Sequence, residues 1–400
     1  MKIGMILDNP FPPDPRVENE AVTLIQQGHE VFLYCLDYSQ DQAAVEEVNG
    51  IQVRRFWVPT YLKSVSALAY TIPYYHNYLH KSIREFLEKE QIDVIHVHDM
   101  QIARAVFRVN EKLKKPLVLD LHENRPEIMK FYTHVQSGLG QLTIYPSIWK
   151  KREFQFIRAA TKTVVVTEEA KAYYVAQTGR SPQDFIVVPN TVRKAFYQTP
   201  FIDAKIVKRY RPYFTLLYLG DTGERRGLKT VVEAMQYILP EIPEIRFVCV
   251  GKSKSDPQLK AYIRSMGVEE QVEMAGWQDF RLFQSYIEAS SICVSPLHRN
   301  LHHDTTFANK VFQYLSLRKP VIVSNCPSQE NLIHQYDCGL VFQERDAADF
   351  AEQVLKLYKD APLRKRLGEN GRRMVEQHMN WDISSTQLNA LYRDFAQKIG

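Results

Sequence analysis

Two strand-like runs of this 400-residue chain end in a histidine followed by an acid: Val97-His98-Asp99 and Leu121-His122-Glu123. An imidazole beside a carboxylate can hold a proton, pass one on, or present a charged hydrogen bond to a ligand oxygen. Zinc would need more: no third ligand recurs at helical spacing, so no metal site is expected. Nearer the start, Asp8-Asn9-Pro10-Phe11-Pro12-Pro13-Asp14-Pro15-Arg16 ends in a helix start, with Asp14 as N-cap acceptor and Pro15 at the first helical position. A loop at a helix N-terminus suits an anion, and Arg16 is then a phosphate or acceptor contact.

The second half repeats the theme with cations. Gly220-Asp221-Thr222-Gly223-Glu224-Arg225-Arg226-Gly227 follows an apolar strand and precedes a helix. Backbone amides and two guanidinium groups at such a turn match a diphosphate. Val250-Gly251-Lys252 closes another strand, with glycine where backbone must come close to a ligand. Thr305-Thr306-Phe307-Ala308-Asn309-Lys310-Val311-Phe312-Gln313-Tyr314-Leu315 is a loop running into a helix. Phe312 and Leu315 are spaced to face a core, while Gln313 points elsewhere.

These residues need strands ending side by side, and the chain alternates accordingly. Strands are predicted at Lys2–Leu7, Glu30–Leu36, Gln52–Val58, Val94–His98, Leu117–Leu121, Thr163–Thr167 and Ile186–Val188, with helical patterns between them. Several are unbroken apolar runs, as parallel strands covered on both faces require. The series restarts at Thr215–Leu219 and runs to Leu340–Phe342, with a linker expected over 189–212. The expected fold class is α/β: two doubly wound Rossmann-like domains, 1–192 and 193–378, facing across a cleft, with a terminal helix at 379–400 crossing back to the first.

Composition sets limits on partners. Hydrophobic residues at 45% and charged residues at 24% describe an ordinary globular protein, and the +5 net charge is spread over both halves rather than gathered in a stripe. No nucleic-acid partner is expected. Five cysteines without a Cys-x-x-Cys pair suit neither a disulfide framework nor a metal site. The chain opens on a strand rather than on a basic-apolar leader, and no apolar stretch has membrane-span length, so a cytoplasmic protein is expected. Aromatic residues beside Lys150, Lys151 and Arg152 suit an anionic membrane surface, with peripheral contact through 144–152.

In order and spacing these motifs resemble those of the family 4 glycosyltransferases, which have the GT-B fold. The resemblance rests on Asp14-Pro15-Arg16-Val17, Gln27-Gly28-His29-Glu30-Val31, His98-Asp99, His122-Glu123 and Val187-Val188-Pro189-Asn190 in the first half. In the second it rests on Arg226-Gly227-Leu228, the Asn309–Leu315 stretch, Lys319-Pro320-Val321 and Asn380-Trp381. It implies a retaining, metal-independent transfer from a nucleotide-sugar donor to a glycan, lipid-linked or small-molecule acceptor, with no cofactor. By the same resemblance His122 and Arg226 are catalytic. Arg225, Gly251, Lys252, Thr305, Thr306, Phe307, Asn309, Lys310 and Gln313 bind donor, with Gln313 on the ribose. Asp14, Arg16, His98, Asp99 and Glu123 face the acceptor or diphosphate. Three positions depart from the family pattern: Asp221 stands where an arginine is common, and Thr305 and Gln313 stand where two glutamates are common. A non-hydrolysing UDP-sugar 2-epimerase and a non-catalytic sugar-nucleotide-binding relative are the alternatives.

Overall fold

The structure, a computed structural model, describes residues 1–136 and 138–399. It divides into two compact units, Met1–Pro189 with Ser385–Gly400, and Asn190–Ser384.

Unit 1 is built on β1 (Lys2–Ile6), β2 (Glu30–Asp37), β3 (Val45–Val48), β4 (Ile51–Trp57), β5 (Val94–His98), β6 (Leu117–Asp120), β7 (Lys162–Val165) and β8 (Phe185–Val187), in sheet order β3-β4-β2-β1-β5-β6-β7-β8. β1 is parallel to both neighbours, Ile3 lying opposite Val31 and Val94. Helices cover both faces, which is why the central strands tolerate apolar residues at every position. The chain winds outward from β1 one way through β2, then returns to start again at β5. The carboxyl ends of β1 and β5 therefore flank a switch point, the usual ligand position in such sheets. β3 was absent from the predicted strands. It pairs antiparallel with β4 through a turn in which Asn49 (φ 52°) and Gly50 (φ 84°) both adopt left-handed backbone. Asn-Gly is the strongest short hairpin signal there is. The exposed edge strand Val45-Glu46-Glu47-Val48 lacks the apolar run that marks its neighbours.

Unit 2 carries β9 (Phe214–Leu219), β10 (Ile245–Val250), β11 (Val272–Gly276), β12 (Ile292–Ser295), β13 (Val321–Ser324) and β14 (Gly339–Phe342), in order β11-β10-β9-β12-β13-β14. Its switch point falls between β9 and β12. The segment expected to be a linker instead belongs to this unit. It contains helices Lys194–Gln198 and Ala204–Tyr210, the second started by Asp203, which accepts from the Lys205 amide. The Phe201 amide donates to Gln284 Oε1 at 2.7 Å and the Asp203 amide to Ser285 Oγ at 2.8 Å. Prolines punctuate the segment without freeing it.

The outgoing and returning chains meet where Trp381 N donates to Val192 O at 2.9 Å and Thr191 and Ser384 share a hydrogen bond of 2.9 Å. From there helix Thr386–Ile399 packs on unit 1, burying Leu388, Leu391, Tyr392 and Phe395. Among the described residues no helix is long and apolar enough to cross a membrane.

Candidate functional site

At the end of β6 in unit 1, Asp120 is completely buried, and each of its oxygens meets a cation. Oδ1 accepts from Arg16 Nη2 at 3.0 Å; Oδ2 accepts from His122 Nε2 at 3.0 Å. His96 Nε2 and His98 Nδ1 each lie 3.4 Å from Oδ2. Burial alone would raise the Asp120 carboxyl, but Arg16 and His122 hold it well below the usual range.

Arg16 is not the ligand contact expected of it. Its guanidinium is 4% exposed, and it also donates to Val188 O at 3.0 Å and pairs with Glu20 at 2.9 Å. Asp14 is the N-cap, accepting from the Arg16 and Val17 amides at 3.2 and 3.1 Å, so its carboxylate serves the helix rather than an acceptor. His98 likewise lies inside: it is fully buried, and burial first, then His96, push it down to about 3. Glu123 pairs with Arg125 at 3.1 Å.

His122 remains at the rim. Burial opposes its charge, yet Asp99 and Asp120 flank the ring and outweigh that cost, pushing it up to about 10. Asp99 is placed by a left-handed backbone (φ 59°), which Asp tolerates better than most residues. Its Oδ1 accepts the His122 amide at 3.2 Å, while Oδ2 lies 3.6 Å from Nδ1, too far for a hydrogen bond. The flanking carboxylates thus favour the charged imidazolium, whose Nε2 meets Asp120 and also lies 3.1 Å from His98 Nδ1.

Four residues of this assembly were missed in the sequence. Glu20 comes from the inner face of helix Pro15–Gln26, His96 from inside β5, Asp8 from the end of β1, and Tyr392 from the last helix. Tyr392 Oη lies 2.6 Å from His96 Nδ1. Because Nε2 faces carboxylates, Nδ1 is the acceptor and the tyrosine the donor. Asp8 is buried, and desolvation raises it to about 6 against the pull of Arg125. Glu20, His96, His98 and Asp120 also place four ligand atoms within 4.8 Å of one another, more donors than the sequence suggested. The set could hold a divalent ion, but Arg16 and His122 already neutralise its carboxylates.

In unit 2 the carboxyl end of β9 gathers cations. Gly227 turns the chain in left-handed backbone (φ 73°), where a Cβ would sit 1.7 Å from Pro296 O. That turn sets Arg225 and Arg226. Arg226 Nε donates to Asp221 Oδ2 at 3.1 Å, and Arg225 Nη1 lies 3.4 Å from His303 Nε2. Asp221, the departure from the family arginine, thus holds Arg226 in place. Lys310 Nζ sits 3.6 Å from the centre of the Tyr218 ring. Desolvation, then Arg226, lower the ammonium well below its ordinary value.

The other expected donor residues divide. Gly251 is required by the fold: at φ 146° its Cβ would meet Gly220 O at 1.8 Å, so the close backbone approach is to the protein itself. Lys252 and Asn309 are exposed and Gln313 half-buried. The Thr305 and Thr306 hydroxyls donate to Leu301 O (2.6 Å) and His302 O (2.7 Å), and the Thr305 amide to His302 O (3.2 Å), so this loop serves itself first. Phe307 packs edge-on against Phe312 at 5.2 Å.

Two Rossmann-like units, each with polar groups at the carboxyl ends of its parallel strands, define a GT-B protein, and comparison with solved structures agrees. Sucrose-phosphate synthase from Thermosynechococcus elongatus superposes with a TM-score of 0.80 at 16% identity, covering 99% of both chains. The Anabaena protein HepE, solved with UDP, gives 0.75 at 12% identity over 98% of this chain and 100% of that one. In sequence, residues 13–191 match the family described as "Glycosyl transferase 4-like domain" and residues 202–374 match "Glycosyl transferases group 1". The chain belongs to the family 4 type of glycosyltransferase. The α-D-kanosaminyltransferase of Streptomyces kanamyceticus is 21% identical over 78% of this chain and 80% of its own. An uncharacterised glycosyltransferase of Methanocaldococcus jannaschii is 21% identical over 93% of each.

Proposed function

We propose that the protein transfers a sugar, with retention of anomeric configuration and without a metal ion, from a nucleotide-sugar donor to a glycan, lipid-linked or small-molecule acceptor. The observation that carries this reading is the grouping of Arg225, Arg226 and Lys310 at the end of β9, with Asp221 as the nearby carboxylate. Lys310 is desolvated among like charges, a state that an incoming diphosphate would relieve. The same cations suit the charge that develops on a departing nucleoside diphosphate as the anomeric carbon–oxygen bond breaks. The acceptor oxygen then bonds to that carbon and its proton passes to the leaving phosphate, since His122 already carries one. By the family resemblance, His122 contributes a positive charge to binding of the donor sugar. Solved relatives include HepE with UDP-glucose, which supports the donor class.

The test is nucleoside diphosphate release from UDP-, GDP- and ADP-sugars with and without pooled glycan, lipid-linked and small-molecule acceptors. Release that needs an acceptor, falls roughly 100-fold or more in Arg226→Ala, and gives a product with the donor's anomeric configuration by proton NMR supports the reading. A free 2-epimerised sugar without acceptor would establish the epimerase instead. Binding without turnover under every condition would establish the non-catalytic relative.

A further inference from the structure

The loop that leaves β12 reaches across to the arginine turn and grips both its backbone and a side chain. Pro296 O lies against Gly227, where it leaves no room for a Cβ. The His298 amide donates to Arg225 O at 3.0 Å. Further along the same loop, His303 Nε2 lies 3.4 Å from Arg225 Nη1.

His303 is itself firmly placed. It belongs to the one-turn helix Leu301–Asp304, which Asn300 caps by accepting the His303 amide at 3.0 Å. Ser328 Oγ donates to His303 O at 3.1 Å. The residue is 1% exposed, and its Nδ1 lies 2.7 Å from His298 O, a carbonyl that also accepts from Asn300 Nδ2 at 3.0 Å. A carbonyl can only accept, so Nδ1 carries the hydrogen of the ring. A guanidinium can only donate, so Nε2 turns a lone pair to Arg225. An imidazolium would set N–H against N–H. Burial, reinforced by Arg226, Arg225 and Lys310, pushes His303 down to about 3 against the pull of the His298 carbonyl.

The two arginines of the turn are therefore held differently. Arg226 is held by the Asp221 carboxylate, which competes with an incoming phosphate for the same charge. The imidazole fixes the direction of Arg225 and neutralises none of it. Ordering a long side chain in advance spares a ligand that cost on binding.

We infer that His303 is a positioning residue, whose Nε2, set by the loop from β12, aims the Arg225 guanidinium at the donor diphosphate. The inference rests on the donor reading of the β9 cluster. It is tested by calorimetry of the full chain with UDP, GDP, ADP and inorganic pyrophosphate in a double-mutant cycle. His303→Leu should weaken binding of the diphosphate that the wild type takes roughly tenfold, and Arg225→Ala at least as much. The double variant should bind no worse than Arg225→Ala alone, because the histidine acts through the arginine. His303→Gln, whose amide oxygen can accept from Arg225, should stay within about threefold of wild type. Nitrogen NMR of the ring reports the contact without any ligand: His303 should stay neutral and Nδ1-protonated from about pH 5 to 8, and its Nε2 signal should move in Arg225→Ala. Additive losses in a chain that binds, or a ring protonated at Nε2, overturn the inference alone. A wild type that binds none of the four probes overturns the donor reading and this inference with it.

Discussion

Asp120 Oδ2 and His122 Nε2 lie 3.0 Å apart, and the buried carboxylate that makes this bond also holds Arg16 through its other oxygen. One side chain thereby ties the first helix to a strand end and fixes the charge of the only histidine of the group left at the rim.

The first consequence is a pH dependence. The ordinary value for His122 is 6.5 and the folded one about 10. A raised value means that the stabilisation is complete below 6.5, declines as pH rises, and is gone above 10. Thermal melts of wild type and His122→Asn should differ most at the acid end of that window and converge at its alkaline end. A difference that grows with pH would contradict the assignment.

Asp120→Asn should be severe. It leaves Arg16 buried against a neutral amide, and breaking one side of such a pair costs about 3–5 kcal/mol. Urea unfolding would show this as a lower midpoint at unchanged slope. A loss of activity without loss of stability would mean that Asp120 acts on substrate and not on the frame.

Much of that frame was legible in advance, and its failures share a cause. Apolar runs located β1, β2 and β9 because parallel strands covered on both faces favour them. The histidines at two strand ends were visible because Rossmann topology sends strand ends to ligands. Arg16 was misread because its anionic partners, Glu20 and Asp120, are 4 and 104 residues away, and only tertiary packing joins all three. His96 and Tyr392, 296 residues apart, gave no sequence signal as a pair. At Gly251 the sequence suggested close approach to a ligand, and the structure shows close approach to Gly220 O.

Gly251→Ala tests that last point. The added Cβ collides with Gly220 O, so a stability loss of roughly 3 kcal/mol is expected without any ligand present. A variant that folds normally and loses only nucleotide binding would restore the ligand explanation.

Lys310→Met should separate function from stability. Removing a desolvated ammonium among like charges should stabilise the free protein by about 1 kcal/mol. Calorimetry should show weaker binding of nucleoside diphosphate.

The most direct test is the melting temperature of the purified protein with UDP-, GDP- and ADP-sugars, alongside Arg226→Ala. A ligand that binds the folded state alone raises the midpoint by mass action. One nucleotide class should shift the wild type by several degrees and leave the variant unmoved. No shift with any of the three, with acceptors present or absent, would contradict the donor site at β9 and the transfer reaction built on it.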